Sequence, residues 1–172
     1  MDKNEIEPVT TRSIGIRFGL ISSVISIVLF IIPAVIGQNP FKGAWNWIGI
    51  VVGIVIIVFA HKSFKDDGDG YMDYGQGIGI AFWMALISTL IAVPFMYAYI
   101  NFIDSNPFEL FMEQQQEEMA AKGTPENIIE TSIEWTRKLF WPIALVMGLL
   151  GSIIIALIVT IFTQKKDPNA IV

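Results

Sequence analysis

Four long apolar stretches, separated by polar segments, are the dominant pattern along this chain. They cover residues 14–36, 44–61, 77–103 and 139–162. An α-helix needs roughly 20 mainly apolar residues to cross the hydrocarbon core of a bilayer. Three of the stretches meet that length, and the second is slightly shorter but has apolar neighbours that extend it. The pattern therefore predicts four transmembrane helices.

The polar segment 104–138, between the third and fourth stretches, has helical features of its own. Pro107 is typical of the first turn of a helix, and Gly123 is typical of a helix end. Pro125 then begins a second helix, which can continue into the fourth span. Both helices have one apolar face and one acidic face. We therefore predict an amphipathic helical hairpin over residues 106–137.

The composition fits a single membrane domain over residues 1–172. Hydrophobic residues make up 53% of the chain, which leaves little material for a separate soluble domain. There is no cysteine, so disulfides and thiol catalysis are excluded. The predicted fold class is all-α: an integral membrane four-helix bundle, with the amphipathic helical hairpin in the loop between spans three and four.

Charge is unevenly distributed and predicts an orientation. The formal net charge is -5, and segment 104–138 carries all of it, with eight acidic and three basic residues. Lys and Arg near span ends favour the cytoplasmic side. One side of the predicted bundle has seven of them and the other has four: Lys3, Arg12, Arg17, Lys62, Lys65, Lys165 and Lys166, against Lys42, Lys122, Arg137 and Lys138. Both termini are therefore predicted to be cytoplasmic.

Small residues recur at offsets of three and four within every span. In lipid, small side chains allow helix backbones to approach closely, so these positions are candidate helix-packing residues. The candidates are Gly15, Gly19, Gly49, Gly53, Gly77, Ala81, Gly148 and Gly151. Packing within one bundle is the first interpretation. The alternative is that the face formed by Gly49 and Gly53 dimerises two copies of the chain.

Glutamates recur every four residues along both helices of the predicted hairpin, which places them on one face of each helix. The candidate partner-binding residues are Glu109, Glu113, Glu117, Glu126, Glu130 and Glu134. They could meet a basic partner or cations. The alternative is an ordinary solvated face.

Groups that carry chemistry are scarce. No charged residue lies in the middle of a span, and the single histidine, His61, stands beside Lys62 at a span end, where its side chain can reach the interface. Asp67 and Asp69 begin an acidic loop, but Tyr71 and Ile78 occupy positions where an EF-hand requires ligands. We expect no catalytic, metal or cofactor site, and no enzyme.

Short motifs in the loops resemble the family called domain of unknown function 4199. The motif Asp-Gly-Tyr-Met-x-Tyr-Gly-Gln covers residues 69–76, Asn-Pro-Phe covers 106–108, and Met-x-x-Lys-Gly-Thr-Pro-Glu covers 119–126. The resemblance extends from Ser13 to about Gln164. It implies a multi-pass protein of a bacterial inner membrane, chiefly in Bacteroidetes, and it implies no activity.

Two classes of function remain open at this stage. The acidic hairpin favours an accessory, scaffold or interaction protein of a membrane complex. The alternative is a small permease, channel or lipid-handling protein that acts as an oligomer, with Pro33 and Pro94 bending helices around a path. The expected partners are the lipid bilayer and either a second copy or another membrane protein, and no nucleic acid.

Overall fold

The computed structural model describes residues 9–168, and every regular element in that range is helical. The five helices are α1 Thr11–Val35, α2 Ala44–Asp67, α3 Tyr74–Phe102, α4 Asn106–Ala121 and α5 Glu126–Thr163. All of them except α4 are long and apolar enough to cross a membrane. The predictions of an all-helical fold and four candidate spans are confirmed. Lys3, which contributes to the predicted orientation, lies outside the described residues.

Local sequence signals account for several helix ends. Asp73 and Gln76 form a reciprocal capping box at the start of α3, with hydrogen bonds of 2.8 Å in both directions. Such a box satisfies two backbone N–H groups that have no partner within the helix. Gly123, with φ of +75°, separates α4 from α5 in a backbone conformation that favours glycine.

Two helices extend further than hydropathy predicts. α2 continues beyond residue 61 to Asp67, with Phe64 buried, because a helix can leave the apolar layer without losing its hydrogen bonds. α5 is continuous from Glu126 and includes Pro142 in its interior. Pro142 therefore does not begin a helix, because the acidic segment before it belongs to the same helix.

The helices form a bundle around α3. α1 runs parallel to α3 along the most extensive interface, and α2 and α5 run antiparallel to it. We call the end that contains Thr11, Asp67, Tyr74 and Thr163 the inner end, after the predicted orientation. The opposite end, which carries α4, is the outer end.

Close backbone contact holds α1 against α3. A Cβ added to Gly15 would overlap the Cβ of Trp83 and lie 2.8 Å from the carbonyl oxygen of Ile80. A Cβ added to Gly19 would lie 2.8 Å from the Cβ of Ile87. These glycines allow the two helices to approach in the way that small residues do in lipid.

The outer surface of the four long helices is apolar. Large side chains such as Val24, Val51, Leu90 and Ile154 are exposed, and the same is true along the length of each helix. Soluble monomers rarely expose contiguous apolar surface of this extent. The surface is suited to hydrocarbon.

Candidate functional site: a cavity in the middle of the bundle

Helix α2 packs tightly only along its second half. Its buried residues are Ile56, Ile57, Ala60, His61 and Phe64, and no residue before Ile56 in this helix is buried. In the first half of α2, Val52 and Ile54 are packed against the core but only partly buried, so this half is less closely packed than the second half.

The space beside that half of α2 is a partly open cavity of about 420 Å³. All four long helices contribute to its walls, including Gly49 and Gly53 of α2 and Gly148 of α5. A Cβ added to Gly49 or Gly53 would meet no atom within 4 Å. The volume lies in the range typical of small-molecule sites, which runs from about 300 to 1,000 Å³.

Hydroxyl groups from three helices line the cavity near the midpoint of each span. They belong to Ser22 and Ser26 of α1, Ser88 and Thr89 of α3, and Ser152 of α5. Ser88 donates a hydrogen bond of 3.3 Å to Ser22, and Ser152 donates one of 2.8 Å to the carbonyl of Gly148. The hydroxyls of Ser26 and Thr89 have no hydrogen-bond partner within residues 9–168.

The rest of the cavity lining is mainly apolar. It includes Ile25, Leu29, Ile50, Met84, Val93 and Ile155, and no lining residue carries a charge. The cavity can therefore accommodate an apolar group and offer a few hydroxyls at the depth of the bilayer centre. It has no acids or bases of the kind that form proton relays in pumps and transporters.

An aromatic cluster bounds the outer end of the cavity. We define it as Phe30, Phe41, Tyr99, Phe108, Phe111, Phe140 and Trp141. The ring of Phe41 lies 5.7 Å from that of Phe30, 5.6 Å from Phe111 and 5.2 Å from Phe140. Phe30 and Phe41 also line the cavity. The cluster thus joins α1, α3, α4 and α5 with the loop that leads into α2.

Polar contacts fix α4 over this cluster. Asn39 donates a hydrogen bond of 2.6 Å to Gln114, and the ammonium group of Lys42 lies 2.6 Å from Glu118. Both Asn39 and Lys42 belong to the loop between α1 and α2. The hydrogen bond from Lys42 lowers the pKa of Glu118 below its ordinary value. The position of α4 is therefore linked directly to the segment that enters α2.

A second ion pair connects α4 to α5. Arg137 donates two hydrogen bonds to Glu109, of 2.6 and 2.8 Å, and these lower the pKa of the Glu109 carboxyl. The contribution of this ion pair to stability is therefore fully present above the ordinary pKa of glutamate. It is lost as the pH falls through the lowered pKa of Glu109. The pair is largely exposed, so that contribution is below about 1 kcal/mol.

The six candidate partner-binding glutamates divide into two groups. Glu109 and Glu134 are paired with Arg137 and Lys138 within the chain. The others are exposed and form no ion pair with any residue from 9 to 168: Glu113, Glu117, Glu126 and Glu130. The four-residue spacing alone does not distinguish the two groups, because it does not show that Arg137 and Lys138 lie beside Glu109 and Glu134.

The candidate helix-packing residues also divide. Gly15 and Gly19 face α3, a Cβ on Gly77 would overlap the side chain of Thr160, and Ala81 is buried. Gly148 lies beside Thr89, whose Oγ1 would be 3.3 Å from an added Cβ. Gly49 and Gly53 face the cavity rather than a neighbouring helix, and an added Cβ on Gly151 would meet nothing within 4 Å.

His61 lies in a different place from the one expected. Its side chain is fully buried at the inner end and does not reach the interface. Nε2 lies 3.0 Å from the carbonyl oxygen of Gly77 in α3, and Nδ1 lies 2.7 Å from Oγ1 of Thr163 in α5. The sequence position of His61 did not indicate these contacts, because both partners are distant in sequence.

Other contacts close the inner end around His61. Lys65 donates a hydrogen bond of 2.7 Å to the carbonyl of Thr163. The backbones of Met72 and Lys165 exchange two hydrogen bonds, of 2.9 and 2.8 Å. Within residues 9–168, no three His, Asp or Glu side chains are grouped so that they could hold a metal ion.

Comparison with known proteins identifies the family. A family model described as "Protein of unknown function (DUF4199)" matches residues 17–165. No curated protein and no solved structure matches the chain. The family match covers most of the sequence, including most of α1 and all of the other four helices, so the chain belongs to the DUF4199 family.

Proposed function

We propose that this protein binds a lipid or another bilayer-soluble molecule in the cavity beside α2. The observation that carries the proposal is the looser packing of the first half of α2, at Gly49 and Gly53, around about 420 Å³ of space. Tightly packed protein interiors contain few voids larger than a water molecule. A cavity of this size within the apolar layer of a bilayer is suited to an apolar occupant.

Side-chain contacts between helices flank both ends of the cavity. The aromatic cluster lies across the outer end, and the contacts of His61 join α2, α3 and α5 at the inner end. Access from the side, through the apolar layer, fits this arrangement better than a path from end to end. Within the alternatives of permease, channel or lipid-handling protein, the geometry supports the last.

Filling the cavity should abolish retention of the bound molecule. Gly53→Leu places a side chain where an added Cβ has no neighbour within 4 Å, so it should occupy the cavity without forcing helices apart. Gly151→Leu is the matched control, because that position is equally open but is not part of the cavity lining. The mass of the intact protein released from gentle detergent measures what remains bound.

We expect a lipid-sized adduct on the wild type and on Gly151→Leu, and none on Gly53→Leu. The same adducts on all three proteins would contradict the proposal. A change from dimer to monomer in Gly53→Leu would instead support dimerisation through the face formed by Gly49 and Gly53. That result would also contradict the proposed binding function.

A second candidate function is an accessory or scaffold role in a membrane complex. It is favoured by the four exposed glutamates that have no ion pair within the described residues: Glu113, Glu117, Glu126 and Glu130. A basic segment of another membrane protein would be complementary to them, and such attraction is weakened by salt.

Neutralising these four acids tests the second candidate. Replacing all four with glutamine should leave helix content unchanged and weaken the binding of any co-purifying partner. The loss of binding should be larger at low salt than at high salt. Asp66→Asn is a control that removes an exposed acid at the inner end. A partner that co-purifies equally with both variants, or the recovery of only lipid and detergent, would count against this role.

A further inference from the structure

The hydroxyls inside the cavity define the class of molecule that fits it. We infer that the occupant is an uncharged, bilayer-soluble molecule with a hydrogen-bond acceptor, such as an ester or ketone carbonyl, that meets Thr89 and Ser26 at the depth of the bilayer centre. This inference rests on the proposed function, because it names the ligand class of the same cavity.

Thr89 is the first observation. Its side chain is more than nine-tenths buried, with 8% of the residue exposed, and it lines the cavity beside Gly148. Its hydroxyl forms no hydrogen bond within residues 9–168, although threonine in a helix can often donate to a carbonyl of the preceding turn. The Thr89 hydroxyl is accessible from the cavity, and a hydroxyl without a partner in an apolar layer is unfavourable, so an acceptor on the occupant is favoured.

The second observation is the position of the hydroxyls relative to one another. Ser26 is on α1 and also lines the cavity, and its hydroxyl likewise lacks a partner within the described chain. Ser22 and Ser88 are nearby and bond to each other. The free donors thus lie on two helices that border the same cavity.

The charge of the lining excludes ionised groups from the same position. No Lys, Arg, Asp, Glu or His side chain lines the cavity. Transfer of an isolated charge into such surroundings is far more costly than transfer of a neutral carbonyl. A phospholipid could insert a chain here, but its phosphate would have to remain at the membrane surface.

Matched probes test the inference by native mass titration of the whole protein. Methyl oleate supplies a neutral carbonyl, oleate supplies a carboxylate on the same chain, and 1-octadecene supplies a similar chain without an acceptor. We expect methyl oleate to bind about five-fold more tightly than 1-octadecene, which is the size of effect that one net hydrogen bond produces. Oleate should bind more weakly than methyl oleate.

Two variants identify the donor. Thr89→Val should reduce the preference for methyl oleate over 1-octadecene and leave the affinity for 1-octadecene unchanged. Ser23→Ala is the control, since the hydroxyl of Ser23 is buried in α1 at similar depth but donates to Leu20 outside the cavity.

Each outcome decides between the claims. Equal affinity for the three probes, with binding still abolished by Gly53→Leu, would overturn this inference and leave an acyl-chain cavity. An unchanged preference in Thr89→Val would also overturn it. Binding of all probes that is unaffected by Gly53→Leu would overturn the proposed function itself.

Discussion

Replacing Gly15 with leucine is expected to destabilise the bundle by about 3 kcal/mol or more. Overpacking in a well-packed interior typically costs about 1–3 kcal/mol, and more where backbone must move. Here an added Cβ would overlap Trp83 and approach the backbone oxygen of Ile80, so α1 and α3 would have to separate along their main interface. Thermal unfolding in detergent, followed by helix content, measures the effect.

Gly151→Leu is the control for Gly15→Leu, because both changes put leucine in place of a helical glycine. An added Cβ at Gly151 meets nothing within 4 Å, and leucine has a higher helix propensity than glycine by about 1 kcal/mol. It should leave stability unchanged or raise it. If the two variants unfold at the same temperature, α1 and α3 do not pack as described.

The second large effect is expected from His61→Leu, which should destabilise the inner end by about 2 kcal/mol. The Gly77 carbonyl can only accept, so Nε2 of His61 carries the hydrogen in this contact. Leucine removes that donor and places an apolar side chain against the hydroxyl of Thr163, which keeps its hydrogen bond of 3.0 Å to the carbonyl of Val159. A buried polar group that loses a partner costs about 1–3 kcal/mol.

Protease sensitivity of the loop that connects α2 and α3 measures this second effect, since that loop depends on the same end of the bundle. Lys62→Gln is the control at the neighbouring exposed position. We expect cleavage to increase in His61→Leu and to remain at the wild-type level in Lys62→Gln. Equal cleavage would mean that the buried histidine does not join the helices.

The number and approximate limits of the spans could be predicted because each long apolar stretch carries the signal by itself. The start of α3 also depends on a local signal, since Asp73 and Gln76 lie three residues apart. The continuity of α5 through residue 139 does not follow from hydropathy. Hydropathy reports where a helix enters lipid, but it does not report where its hydrogen bonds begin.

The cavity could not be predicted, because the same motif has two structural outcomes. Gly15 and Gly19 have the four-residue spacing of Gly49 and Gly53, and both pairs predict close helix packing. The first pair contacts α3, whereas the second faces open space. A glycine permits a close approach but does not enforce it, so the distance between α2 and α3 depends on the whole bundle.

The cavity-lining hydroxyl residues also could not be recognised from the sequence. Ser22, Ser26 and Ser88 belong to the small-residue pattern of their spans, and a packing role accounts for them in sequence. Only the structure places them around a shared space, with Thr89 and Ser152, and this placement is the basis of the proposed binding. The paired and unpaired glutamates differ for a similar reason, since Glu118 meets Lys42 across a long stretch of chain.

The central claim is that a lipid-accessible cavity lies beside Gly53 and accepts a bilayer-soluble molecule. The chain has no cysteine, so Gly53→Cys provides a single site for a nitroxide spin label. Val51→Cys is the control on the same helix, because Val51 is 58% exposed on the outer surface. The spectra report how freely each label moves in a reconstituted bilayer.

We expect the label at position 53 to be mobile and accessible to dissolved oxygen but not to an aqueous nickel chelate. The label itself occupies the cavity, so the protein labelled at position 53 should retain no methyl oleate, whereas the protein labelled at position 51 should retain it. A label at position 53 that is immobile from the start would show that α2 closes against the bundle. Equal retention of methyl oleate by both labelled proteins would show that the ligand does not bind in this cavity, and either result would contradict the account.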